Sequence, residues 1–340
     1  MAEAGRTGVV NGFVFDPEVF ADYMQEQTCL NNKILASGIL INDPIIENAI
    51  GSRSNVATVP FFLPVDGEED AKNDDGKTDN TPTTLKGSKQ TCMAIARMKS
   101  WKENTYTRYL TGKSPLSNLA NSLVVPYWTN QWEADLIATI KGIMGLSTMI
   151  THKLNLATTT GSITDANKVT LTSHIDLGQK ALGDKRNGFG LIIMHSQVAS
   201  NYKKLELIEN KKLFSPILGA DINVDMIGNM VVLETDTNTV DATVDGFPVY
   251  HTYMLGRGTF LGAPKQVYRP YGTHYDDETD GGVEKLYTKQ ARVMHPNGFS
   301  IKADNIAEES PTRSELSKSE NWELKFNHKN IAIAEIISNG

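Results

Sequence analysis

Downstream of Pro126, the residues Trp128, Trp132, Leu136, Ile140 and Met144 recur at every fourth position, with Ile137 and Ile143 beside them. That spacing lines one face of a 3.6-residue helix, so a long amphipathic helix is predicted over 127–148, its apolar face packed on a sheet. Near the start of the chain, Asp16 and Pro17 make a favourable helix N-terminus, a capping carboxylate followed by a proline in the first turn. Val19, Phe20, Tyr23 and Met24 supply the stripe of that helix. Two extended runs, 55–65 and 91–101, flank a polar stretch holding glycines and Pro82, and together they predict a long hairpin with a polar tip. Pro60 and Pro64 cannot donate to a ladder, so the first run is expected at a sheet edge or on a projecting arm.

After a Thr/Ser/Asn-rich connector at 155–169 the pattern becomes α/β. It predicts a helix over 171–182, an apolar strand over 189–194 and a helix over 196–207 with Ser196 as its N-cap. Further strands are expected at 229–233, 247–253, around Val267 and at 285–294, and Asn297-Gly298 predicts a tight turn. Thr312 and Glu315 have capping-box spacing ahead of a short helix. Trp322, Leu324 and Phe326 then alternate into a strand, and a turn over 327–330 returns the chain as 331–337 to complete a terminal hairpin. No internal repeat of 20–50 residues is present.

Composition narrows the classes. With 340 residues, 40% apolar and 21% charged, the chain can bury a core, which excludes disorder. No run of 18 apolar residues occurs and residues 1–10 lack a signal-peptide core, so nothing addresses a membrane. Cys29 and Cys92 form neither a spaced metal pair nor a disulfide framework, and no N-x-Ser/Thr sequon occurs, which points to a reducing cytoplasm. The formal net charge of −7 argues against phosphate binding by the surface as a whole. Residues 66–80 hold seven acids against two lysines, a local −5 that leaves −2 for the rest, so one segment dominates the electrostatics.

Candidate chemistry is thin. The seven histidines show no His-x-x-x-His pairing, so no metal is expected, and no catalytic or cofactor-binding residues are assigned. His195-Ser196 lacks a nucleophile elbow. Placing Gly76 at the sixth position of a calcium loop puts Ala71 first and Pro82 twelfth, neither a ligand. His274, Asp276, Asp277, Glu278 and Asp280 could gather a divalent ion but read as a solvated charge cluster and stay unassigned. Gly256-Arg257-Gly258 and Gly183-Asp184-Lys185 do not make a phosphate loop.

The order of elements, with the stretches FGLIIMHSQVASNYKKLELI at 189–208, ARVMHPNGFSIKA at 291–303, SPTRSEL at 310–316 and NWELKFNHKNIAIAEIISNG at the close, resembles the tailed-bacteriophage major capsid proteins. These have the HK-ninety-seven-like fold, which encapsulin compartments and the herpesvirus capsid floor share. The resemblance implies an α+β fold with an N-terminal arm at 1–30 and an extended loop (E-loop) at 53–101 lying over a neighbouring subunit. A peripheral domain is expected from 31–52, 102–152 and 292–340, with 127–148 as its spine helix, and an axial α/β domain from 153–291.

Function is then expected in interfaces. The implied protein is a structural, non-enzymatic subunit without cofactors. It assembles with itself into hexamers and pentamers of an icosahedral shell, in the host cytoplasm, around DNA that is enclosed without sequence-specific binding. The implied partners are a scaffolding protein, a portal and a decoration protein. Retention of Met1 suggests a scaffold encoded separately. The candidate interface residues are the acids of the hairpin tip, Asp66, Glu68, Glu69, Asp70, Asp74, Asp75 and Asp79. Some family members lock the shell by an isopeptide bond from a loop lysine; Lys72, Lys77, Lys86 and Lys89 occupy the corresponding loop, where lysines are ordinarily solubilising. An encapsulin-like compartment keeps this fold and changes the cargo. More remote readings are an α/β hydrolase-like enzyme, which the missing elbow, metal cluster and phosphate loop disfavour, and a tail or adhesion protein, which calls for more β repeats.

Overall fold

The protein is described from a computed structural model, which covers residues 8–10, 13–15, 39–50, 54–62, 72–79, 87–111, 124–215, 220–236, 240–244, 246–268 and 270–340. The chain begins with β1 (Gly8–Val10) and β2 (Phe13–Phe15), an antiparallel pair. The helix expected from Asp16 onward lies outside the described residues, as do Pro64 and Pro82. There follow β3 (Leu40–Asn42), α1 (Pro44–Ile50), β4 (Val56–Phe62), β5 (Gly87–Asn104), α2 (Thr105–Thr111) and α3 (Val124–Met144). The middle of the chain forms β6 (Lys153–Asn155), α4 (Ser173–Leu182), β7 (Phe189–Met194), α5 (Ser196–Lys204), β8 (Glu209–Ser215), β9 (Ala220–Ile227), β10 (Met230–Glu234), β11 (Val240–Val244) and β12 (Phe247–Gly256). The rest comprises β13 (Phe260–Pro264), β14 (Tyr271–Asp276), β15 (Val283–Pro296), β16 (Phe299–Ile301), α6 (Arg313–Leu316), β17 (Trp322–Leu324) and β18 (Ile333–Ser338).

Two sheets organise these elements. The first has strand order β6-β18-β12-β7-β10-β9-β8, with β11 on β12; the second has order β3-β13-β15-β5-β4, with β14 on β15. In the first sheet the two-residue period sorts side chains between two cores. Leu191 and Ile193 of β7, Tyr253 and Leu255 of β12 and Ile333 of β18 face the core that contains α3. Ile192, Met194, Met254, Ala334 and Ile336 face the core formed with α4 and α5. A strand buried on both faces reads as an unbroken apolar run, which is why FGLIIM is a central strand.

The predicted long helix exists as α3 and is the shared element. Trp128, Trp132, Leu136, Ile137, Ile140 and Ile143 pack in one cluster with Met93, Ile95, Leu286 and Met294 of the second sheet and with the residues named above from the first. Residues 132–140 are all buried, so the helix is covered on more than the single face its four-residue stripe implies. It starts at Val124, which takes Pro126 into its first turn where a missing N–H costs nothing, and it stops at Met144 before Gly145.

Several expectations are corrected. The N-cap of α5 is His195, whose Nδ1 accepts from Gln197 N at 3.0 Å; Ser196 is already helical, and its N–H donates to Asp236 Oδ1 at 2.9 Å. Val267 lies outside any strand because the pairing run in that region is β13, which ends at Pro264. The C-terminal strands do not form a hairpin. β17 pairs with β16, whereas β18 inserts between β12 and β6, where Ile333 and Ile336 each reach a core. Phe326 leaves the strand and sets its ring edge-on against Phe61 at 4.8 Å. Sheet membership does not follow chain order: β13, β14 and β15 belong with β5, and β18 belongs with β7 and β12.

Residues 310–326 form a C-terminal clasp that grips α3 closely. A Cβ on Gly142 would stand 2.1 Å from Leu316 O and 2.8 Å from Trp322 Nε1, whereas one on Gly178 of α4 would meet only ordinary contacts at 3.9 and 4.0 Å. Gly142→Ala is therefore expected to destabilise by about 1–3 kcal/mol through overpacking. Gly178→Ala should stabilise by roughly 0.5–1 kcal/mol through helix propensity. Urea midpoints of the two variants check the pair.

Candidate assembly surface

The hairpin predicted from 55–65 and 91–101 is an antiparallel ladder in which Val56 pairs with Met93 and Phe62 with Gly87. β4 lies at the edge of the second sheet, as its proline requires, with Pro60 opposite Lys89. β5 runs on for 18 residues, about 60 Å at ~3.3 Å per residue. Its first part pairs with β4, and from Ala94 to Asn104 it pairs with β15, so one strand carries the hairpin and anchors it in the body.

That anchor is ionic as well as apolar. Asp135, fully buried on α3, accepts from Arg97 Nε of β5 at 3.0 Å and from Arg313 Nε of α6 at 2.8 Å. One carboxylate thus ties hairpin, helix and C-terminal clasp, and the paired donors offset its desolvation. The clasp touches the strand again where Ser310 Oγ accepts from Ala96 N at 2.8 Å. Its own turn is held by the predicted capping box: Glu315 accepts from Ala307 N, Thr312 N and Thr312 Oγ1 at 2.7–2.9 Å. Those hydrogen bonds, led by the Ala307 amide, hold the Glu315 carboxyl down to about 2. Along the same helix, Trp128 Nε1 donates to Thr288 Oγ1, Trp132 Nε1 donates to Gln290, and the Arg292 guanidinium lies over the Trp132 ring at 5.2 Å.

The acidic tip residues fall partly inside and partly outside the described residues. Asp66, Glu68, Glu69 and Asp70 lie outside the described residues, as does Lys86. Asp74, Asp75 and Asp79 all fall in the exposed segment 72–79. Asp75 scaffolds the loop: Oδ1 accepts from Lys77 N and Thr78 N, and Oδ2 from Thr78 Oγ1, which lowers its pKa, the Lys77 amide most of all. Lys72 Nζ donates to Asp79 O at 3.1 Å. Asp74 and the Asp79 side chain are exposed.

The acidic turn 276–280 is likewise a folding device. Asp276 accepts from Glu278 N and Thr279 Oγ1 and binds Lys285 Nζ at 3.3 Å. Among the described residues no three His, Cys, Asp or Glu converge as metal ligands, and no helix is long and apolar enough to cross a membrane. Sequence reasoning missed the Asp135 clamp, whose partners stand 38 and 178 positions away with no local signal. It also missed the exposed tyrosines at one end of the second sheet, Tyr106, Tyr109, Tyr271, Tyr275 and Tyr287.

No family model matches the chain. It is 25% identical over 325 residues, 95% of both chains, to the major capsid protein of Bacillus phage SPP1. Among solved structures it resembles the capsid of Ralstonia phage GP4, with a TM-score of 0.53 and 12% identity over 90% of this chain and 91% of that one. It also resembles Mycobacterium phage Che8 (0.51, 8% identity, 90% and 92%) and the capsid asymmetric unit of cyanophage Pam1 (0.50, 10%, 86% and 87%). The fold is therefore the mixed α+β fold of phage capsid subunits, as the order of elements implied.

Two outcomes test the anchor. Asp135→Asn should cost about 2–3 kcal/mol, toward the low end for a broken buried pair because Arg313 keeps access to water; denaturant midpoints measure it. Because the folded carboxyl of Glu315 titrates near 2 against an ordinary 4.5, its contribution is present above about 4.5 and fades as pH falls toward 2. Glu315→Gln should flatten thermal stability across that window and leave its shape at neutral pH unchanged.

Proposed function

We infer that this chain is a capsid shell protein, the structural head subunit of a phage-type particle. One observation carries the reading: likeness to a major capsid protein extends over 95% of each chain, and a capsid fold matches over 90% of this one. A shell subunit needs precise self-association and no reaction centre, and we propose a non-enzymatic role resting on surfaces.

Within that reading we propose hexamers and pentamers closing an icosahedral shell around DNA, formed in the host cytoplasm with scaffolding, portal and decoration proteins as partners. The 53–101 hairpin is the extended loop over a neighbour, and 1–30 is the N-terminal arm. The peripheral unit comprises α3, the second sheet and the C-terminal clasp. The axial unit runs from 153 to about 256 and recruits β18. A net negative charge suits a container that confines DNA without gripping its phosphates. The tip lysines are proposed to solubilise the hairpin rather than cross-link the shell.

Negative-stain microscopy of the purified protein should show uniform polyhedral shells, capsomer sheets or tubes. A protein that stays monomeric under all conditions overturns the proposal. Nuclease-protected DNA inside the particles separates it from an encapsulin-like compartment, in which a protein cargo is expected. Changing Asp66, Glu68, Glu69 and Asp70 to amides should shift the salt dependence of assembly, because exposed charges are screened within ~8 Å at physiological ionic strength. Identical assembly curves at every ionic strength, followed by light scattering, return the tip to solvation alone.

A further inference from the structure

Two of the edge strands of the second sheet, β4 and β14, are finished differently. β4 carries Pro60, which blunts its edge. β14, YGTHYD, contains no proline, lysine or arginine and is solvent-exposed from Tyr271 to Tyr275, with Tyr271 and Tyr275 each more than half exposed. Among the described residues it pairs with β15 alone. An open strand rich in aromatic and β-branched residues is a template for another strand.

The ladder parity shows what that edge offers. Lys289 N donates to Pro270 O at 2.8 Å, so the Pro270–Lys289 pair is a hydrogen-bonded one. Alternate residues follow suit: Gly272, His274 and Asp276 turn their backbone groups toward β15, and Tyr271, Thr273 and Tyr275 turn theirs away from it. Those three also share the sheet face on which Leu286 and Trp101 lie, since each pairs directly across to that face.

We propose that β14 pairs antiparallel with β14 of a second copy of this chain, about a two-fold axis through Thr273. This rests on the shell-subunit reading and names one contact within it. A two-fold axis perpendicular to a sheet keeps each side chain on its own face, so the central residue must pair with itself. Centring on Thr273 engages all three outward residues. It sets Tyr271 against Tyr275 of the other copy, reciprocally, and Thr273 against Thr273, the aromatic–aromatic and Thr–Thr pairs that stabilise antiparallel ladders. Asp276 then falls opposite Pro270, which places the two acidic 276–280 turns at opposite ends of the joint ladder. Centring on His274 instead sets two imidazoles face to face and leaves Tyr271 beyond the ladder end. The contact is isologous, as a two-fold interface must be.

The test uses assembled particles of the full chain. The central pair would hold its Cα atoms about 5.5 Å apart, inside the range of roughly 4.4–6.8 Å that a disulfide spans. Mild oxidation of Thr273→Cys particles should give a covalent dimer on a non-reducing denaturing gel, reversed by reductant. Thr160→Cys, exposed elsewhere, and the unmodified chain give the background. Thr273→Pro removes only an outward N–H, so monomer melting should hold while particle yield falls several-fold. Thr273→Cys particles that run as monomers after oxidation overturn the proposal, as does undiminished yield from Thr273→Pro. If the unmodified chain forms no particles, the shell reading fails by itself, and oxidation of concentrated soluble Thr273→Cys decides the strand pairing separately.

Discussion

The architecture depends on burying one helix between two sheets. α3 carries Trp128 and Trp132, two of the tryptophans of the shared cluster, and packs in that cluster with residues of β5 and β15 from one sheet and of β7, β12 and β18 from the other, so neither sheet closes its core without it. Burying apolar surface stabilises by about 25 cal/mol per Å², and large aromatic side chains dominate such a core. The helix is consequently more than a lid on a sheet. It fixes the relative placement of the unit built on β7 and the unit built on β15, and any surface presented by one is held in register with surfaces presented by the other.

Asp135 shows how that placement is made specific. Apolar contacts tolerate small slides, whereas a fully buried carboxylate between Arg97 and Arg313 has one acceptable arrangement. Because Arg97 belongs to the strand that continues into the hairpin, the direction in which the hairpin leaves the body is tied to the same point. The Phe61–Phe326 contact and the Ser310 bridge to Ala96 add further tethers between hairpin and clasp. A projecting ladder gains little from its own chain, and such tethers let it meet a neighbour with less ordering still to do.

The shell reading and the finishing of the sheet edges belong together. A subunit that must join copies of itself and yet stay soluble needs some edges closed and others open. Pro60 closes one edge, and the described tip residues 72–79 are exposed. The tyrosine-bearing β14 stays accessible, with its acidic turn folded back on Lys285.

Much of this was written locally in the chain. The four-residue recurrence determined α3, the unbroken FGLIIM run determined a doubly buried strand, Pro60 determined an edge, and Thr312 with Glu315 determined the cap, since each depends on the conformation of neighbouring residues alone. The candidate acids were legible as charge, but Asp75 proved to be a loop scaffold because its role depends on which amides come within reach. Tertiary structure alone decided that β18 leaves β17 for a place between β12 and β6, that His195 and not Ser196 caps α5, and that Asp135 joins arginines far away in sequence. Pairing and burial are set by free energies summed over residues distant along the chain, and no local period carries that information.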